Sequence, residues 1–172
     1  LLHSHFQCAK AGQYAENEFW HKSSGLMDQI TCAVGGAVYM DFSDENKVKF
    51  TKKNLSFEKF GYSLVIVNTG KGHADLSEEY SAIPKEMFSV AEVLGCKRLC
   101  ETNIDELMKV ILNHDSYNDA GSILHSDRAV LRAIHFINEN KRVQKEADAL
   151  KAEKIDEFLE LVKAVSYTHL TL

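Results

Sequence analysis

Ser23-Ser24-Gly25-Leu26-Met27-Asp28-Gln29 is the stretch on which the reading of this chain turns. It follows a segment rich in Glu and aromatic residues and precedes Gly35-Gly36, a turn that opens a strand. An acid placed just after a glycine, at the start of an apolar helical turn, is uncommon. Asp is a poor helix-interior residue. Near a helix N-terminus it does well, because free N–H groups and the dipole favour its ionised form. Asp28 can therefore serve simply as a helix cap. With Gly25 beside it, the same carboxylate can instead face a ligand at close range and act as general base towards a hydroxyl.

Working outward, Gly25-Leu26-Met27-Asp28-Gln29 resembles the Gly-(Ile/Leu)-Met-Asp-Gln segment of galactokinases. These enzymes belong to the GHMP kinase superfamily, which also phosphorylates homoserine, mevalonate and phosphomevalonate. Upstream, Tyr14-Ala15-Glu16-Asn17-Glu18-Phe19 resembles the helix that precedes this motif in the family. Downstream, the run from Asn68 to Tyr80 (Asn-Thr-Gly-Lys-Gly-His-Ala-Asp-Leu-Ser-Glu-Glu-Tyr) is similar to a segment that follows a buried strand and ends in a sugar-contacting Tyr. A third match, Asp127 to His135 with Glu139 and Arg142, looks like a later helix of the family. The matches come in family order and cover roughly residues 8 to 164. The resemblance implies an α+β, two-lobed GHMP-kinase-like fold. Residues 1–60 would be the C-terminal part of the N-terminal lobe, and residues 61–165 the first part of the C-terminal lobe.

The bulk composition agrees with a globular chain. Of 172 residues, 45% are hydrophobic and 26% charged, enough for a real core. The net charge of −5, with acids and bases interspersed, offers no basic footprint for nucleic acid and no polybasic membrane patch. There is no apolar run of about 18 residues and no signal-peptide pattern at the first residues. Cys8, Cys32, Cys96 and Cys100 are scattered and read as reduced thiols of a cytoplasmic protein. Cys96 and Cys100 have no second Cys or His pair nearby in sequence, which argues against zinc. The chain opens with Leu1 inside what reads as a helix. It closes on Ser166-Tyr167-Thr168-His169-Leu170-Thr171-Leu172, which breaks the preceding helical pattern and resembles a translated sequencing adaptor. The expectation is a piece of a longer protein, with residues 166–172 a non-native tail.

Periodicity predicts the elements. Phe6, Ala9, Tyr14, Ala15 and Phe19 form a helical stripe up to about Trp20. A second helix runs from Met27 to Val34 and stops at Gly35-Gly36. Residues 37–42 alternate as a strand, and 48–51 and 55–60 are weaker strands. Tyr62 to Thr69, with Leu64-Val65-Ile66-Val67 at its centre, reads as the strongest strand, buried on both faces. Gly70-Lys71-Gly72-His73 lacks the spacing of a phosphate loop and reads as a turn leading to a ligand-facing loop. Asp75 or Ser77 caps a helix through Tyr80. Ile83-Pro84 interrupts it, and Pro84 opens the next helix, which Gly95 closes. Leu99 is placed in a short strand, Asn103 or Asp105 caps a helix to Leu112, and residues 113–121 read as loop. Helix follows from Ser126, with a last amphipathic segment over 154–165.

Phosphoryl transfer from ATP needs a cradle for the phosphates, a metal and a placed nucleophile. The resemblance implies galactose and ATP as substrates, with phosphorylation at C1. In it Asp28 takes or orients the proton of the anomeric hydroxyl, Gly25 approaches the sugar through its backbone, and Tyr80 bonds a sugar hydroxyl. ATP and Mg2+ are held mainly by family segments that these 172 residues do not contain, among them the Ser- and Gly-rich phosphate loop. The chain by itself is therefore expected to be inactive, and its parent a cytoplasmic monomer. His73 and Asp75 are expected to shape a loop, and His135 and Arg142 to make packing and ion-pair contacts. Two alternatives stand beside this reading. One is a related sugar kinase acting on N-acetylgalactosamine or arabinose. The other is a galactokinase-like sugar sensor that binds without catalysis.

Overall fold

Small and β-branched side chains set how closely the first two helices approach. Ala9 on α1 (Leu2–Tyr14) and Ile30 on α2 (Met27–Val34) are both buried, and the two helices pack together. Gly12 lies at the same contact, where a Cβ would meet Gln29 Cγ at 3.5 Å, an ordinary van der Waals distance. In this computed structural model the chain is α+β and mostly helical, with a small two-stranded sheet. The structure describes residues 2–22, 24–44, 47–68, 70, 77–113 and 126–169, without the side chains of residues 2–3, 77–80 and 166–169. It divides into two compact units, Leu1–Ser77 and Glu78–Leu172.

In the first unit, α1 passes into a π-helical turn over Ala15–Phe19. After a short loop α2 begins, and Gly35, at a φ of 70°, stops it by donating its N–H to the Thr31 carbonyl at 2.8 Å. Strand β1 (Ala37–Asp41) pairs antiparallel with β2 (Lys49–Lys53), Ala37 opposite Lys53 and Asp41 opposite Lys49. The sheet docks on α1 through Phe6 and Phe50, whose rings stack at 6.2 Å.

The second unit is built round α3 (Ser77–Val93), α4 (Ile104–Leu112) and α5 (Asp127–Lys151). Val90 and Ala91 of α3, Leu107 of α4, Ala129, Ala133 and Ile137 of α5, and Leu99 between them form its core. The last helix, α6 (Ile155–His169), packs on α5. Three local signals end or start these helices as the sequence suggests. Gly95, at φ 70°, follows α3, with its N–H on the Glu92 carbonyl and that of Cys96 on the Ala91 carbonyl. The Asn103 side chain accepts from the N–H groups of Asp105 and Glu106. Ser126 accepts from Ala129.

Several expectations are corrected. Residues 62–68 are not a strand. Leu64, Val65, Ile66 and Val67 are 78, 74, 89 and 77% exposed. An apolar run becomes a strand only where a partner takes its backbone groups, and neither described strand pairs with this run. Residues 57–60 form a 3-10 turn closed by Gly61 rather than a strand. Leu99 lies buried in a 3-10 turn, Leu99–Glu101. Pro84 does not divide two helices, because α3 runs through it. Downstream of it, Val90 and Ala91 hold the same helix in the core. The last helix continues past Val165 to His169. Lys71, His73 and Asp75, and most of the 113–121 loop, lie outside the described residues.

Candidate functional site

The loop between α1 and α2 is held by side chains that the end of α1 and its π-helical turn supply. Ser24 is the point they grip. Its N–H donates to Asn17 Oδ1 at 2.8 Å and to the Lys22 carbonyl at 2.7 Å. Its carbonyl accepts from Gln13 Nε2 at 3.0 Å and more loosely from Asn17 Nδ2 at 3.4 Å. Its hydroxyl donates to Glu16 Oε2. The other Glu16 oxygen accepts from Gln29 Nε2 at 3.1 Å, and Lys22 Nζ lies 3.7 Å from the carboxylate. Glu16 thus links the loop to the first turn of α2. The Ser24 hydroxyl, then the Gln29 amide, hold its carboxyl below the usual carboxylate range, with Lys22 adding a smaller effect against some desolvation.

Next to this grip lies an open concavity of about 550 Å³, lined by Asn17, His21, Lys22, Ser24 and Gly25. His21, at a φ of 50°, turns the chain into the loop. Gly25 is exposed, and a Cβ built on it would meet no other described atom within 4 Å. Its φ also lies outside the left-handed region. Neither packing nor backbone conformation within the described chain calls for glycine there.

Asp28 is the second residue of α2 and is exposed. Leu26, at the N-cap, offers no side-chain cap, so Asp28 is the charge that complements this helix end. Its neighbour Gln29 is tied to Glu16, which anchors the turn that carries the carboxylate. Asp28 does not line the concavity, whereas Gly25, three positions earlier, does. Tyr80 falls on α3 in the second unit, and its side chain lies outside the described residues. His135 and Arg142 both face Glu139 on α5. Arg142 is ion-paired with it and His135 Nδ1 stands 3.9 Å away, as ion-pair and packing residues would.

The sequence pointed to Gly25 and Asp28 but not to Gln13, Asn17 and Glu16 as the residues that hold the loop between them. Their segment carried a signal, the family-like Tyr14–Phe19 run, yet the partners lie 7 to 13 positions apart and no periodicity shows such pairs. Among the described residues, no group of three His, Cys, Asp or Glu side chains is placed to hold a metal ion. No described helix is long and apolar enough to cross a membrane.

Comparison with known proteins relates the sequence to galactokinases. The chain is 28% identical over 161 residues to the galactokinase of Limosilactobacillus reuteri (strain DSM 20016), covering 92% of this chain and 38% of that protein. It is 30% identical over 164 residues to the galactokinase of Halalkalibacterium halodurans, covering 95% of this chain and 39% of that protein. For the galactokinase of Actinobacillus pleuropneumoniae serotype 5b, the figures are 30% over 146 residues, 85% and 35%. The chain thus spans about two fifths of the length of these curated relatives. No family model and no solved structure matches it.

Proposed function

We propose that the protein to which this chain belongs is a galactokinase. It transfers the γ-phosphoryl group of ATP to the C1 hydroxyl of galactose, giving galactose 1-phosphate and ADP, the first committed step of galactose catabolism. The observation that carries this is similarity to galactokinases along 85–96% of the chain, with Gly-Leu-Met-Asp-Gln at the entry to α2. The structure supports an acceptor-side role in two ways. Gly25 has open space that the described chain does not use, and Asp28 is an exposed carboxylate on an anchored helical turn.

In this reading the sugar lies against the Gly25 backbone. Asp28 orients the anomeric hydroxyl and takes its proton as the oxygen attacks phosphorus. Tyr80 bonds another sugar hydroxyl. Residues 1–60 belong to the N-terminal lobe and 61–165 to the C-terminal lobe of a GHMP-type fold, with 166–172 outside it. The protein works as a cytoplasmic monomer. The reaction uses ATP and Mg2+, and the roles assigned to this chain are those toward the sugar.

The test is ATP-dependent phosphorylation by the full-length protein, with galactose, N-acetylgalactosamine and arabinose compared as acceptors. Asp28→Asn is expected to lower kcat by about 10²- to 10⁴-fold while galactose affinity changes by less than about threefold. Unchanged turnover in this variant would exclude Asp28 as the base. Galactose binding with no turnover in the wild type would leave the sensor reading in its place.

A further inference from the structure

We propose that Gln13 and Asn17 are positioning residues for the sugar: their two carboxamides hold the peptide groups on either side of Ser24 and so set the direction of the Gly25 N–H. This rests on the reading that Gly25 meets the sugar through its backbone. The Ser24 carbonyl and the Gly25 N–H belong to one planar trans peptide, so they point in opposite directions. Gln13 Nε2, at 3.0 Å, and Asn17 Nδ2, at 3.4 Å, hold that carbonyl from the side of α1 and its π-helical turn. The Gly25 N–H is thereby turned away from them. On the other side of Ser24, Asn17 Oδ1 takes the N–H at 2.8 Å.

The Ser24 N–H does not need Asn17 to be satisfied, because it already donates to the Lys22 carbonyl at 2.7 Å. What the second acceptor adds is direction. Asn17, Ser24 and Gly25 also line the same open concavity. A backbone donor fixed before the ligand arrives avoids the ordering cost a free loop would incur on binding. The held peptide is thus a preformed donor for one sugar hydroxyl, and the two amides determine affinity rather than chemistry.

The experiment measures galactose binding by calorimetry, and KM and kcat with saturating ATP, in the full-length protein. Asn17→Ala and Gln13→Ala are each expected to raise the galactose Kd and KM by roughly five- to tenfold, leaving kcat within about twofold. Asn17→Asp keeps the acceptor for the Ser24 N–H and loses the donor to its carbonyl, so its Kd should fall between those of wild type and Asn17→Ala. If Asn17→Ala does not fold, Gln13→Ala decides the matter, since it removes a single bond. Variants that fold and bind galactose like the wild type overturn the proposal, and so does a loss of kcat with KM unchanged. A wild-type protein that binds no galactose overturns the sugar reading itself, an outcome distinct from either.

Discussion

Glu16 shows how one carboxylate can govern a loop. It accepts from Ser24 in the loop and from Gln29 in α2, and Lys22 stands beside it. These partners favour its charged form and lower its pKa in the folded chain relative to the unfolded one. The stabilisation is therefore fully present above the unfolded carboxylate pKa and disappears as pH falls through the folded, lower value. Trp20, the sole tryptophan of the sequence, is close in the chain and exposed. Its emission should show a loop transition on the acid side of the ordinary carboxylate range, and Glu16→Gln should abolish that transition. A step that persists in the variant would assign it to another acid. Asp28 was legible because a helix start announces itself in a few adjacent residues. Glu16 was not legible as a tie, because its partners are set by how α1 and α2 dock.

At the scale of elements, the parts that were legible are those whose stop and start signals are local. Gly35 and Gly95 end helices, and Asn103 and Ser126 begin them, each through bonds within a few residues. Replacing Asn103 by Ala should cost about 1 kcal/mol of stability, by leaving two N–H groups of α4 without their side-chain acceptor. Leu107, fully buried one turn later, should cost about 2–5 kcal/mol when cut to Ala. Urea titrations followed by helical circular dichroism distinguish these two magnitudes. An equal, small loss for both would mean that α4 does not rest on the core of the second unit. Pro84 and Leu99 were misread for the opposite reason. Their local preferences pointed to a break and to a strand, but α3 runs through Pro84, and Leu99 is packed into the core with Val90 and Leu107.

For the molecule as a whole, the α+β class was legible and the distribution of its strands was not. Leu64 to Val67 has apolar side chains in succession, which is how a strand covered on both faces is written. Strand formation, however, is a property of a pair, and neither described strand pairs with this run. In the 172-residue chain its exposure has a measurable result. Ile66→Lys should leave the thermal midpoint unchanged, a difference of less than about 0.5 kcal/mol, because the side chain is 89% exposed. The same change should reduce light scattering at high concentration, since a charge on an open apolar strand-like run discourages edge pairing. A marked fall in the midpoint would instead show the run packed in solution.

The π-helical turn at Ala15–Phe19 carries one residue more per hydrogen-bonded ring than the α-helix before it. Each helical residue advances the chain by about 100° around its axis. Deleting a single codon there would let α1 continue as regular helix and still spell every residue of the loop, with a turn of ordinary width in place of the wide one, so the residues beyond it keep nearly the heading they have now. Gln13, before the turn, would keep its heading, whereas Asn17 lies inside the turn and its heading is the one that the deletion changes. The reading frame of this helix therefore carries information that composition does not, and a library of one-residue deletions would find it more sharply than one of substitutions.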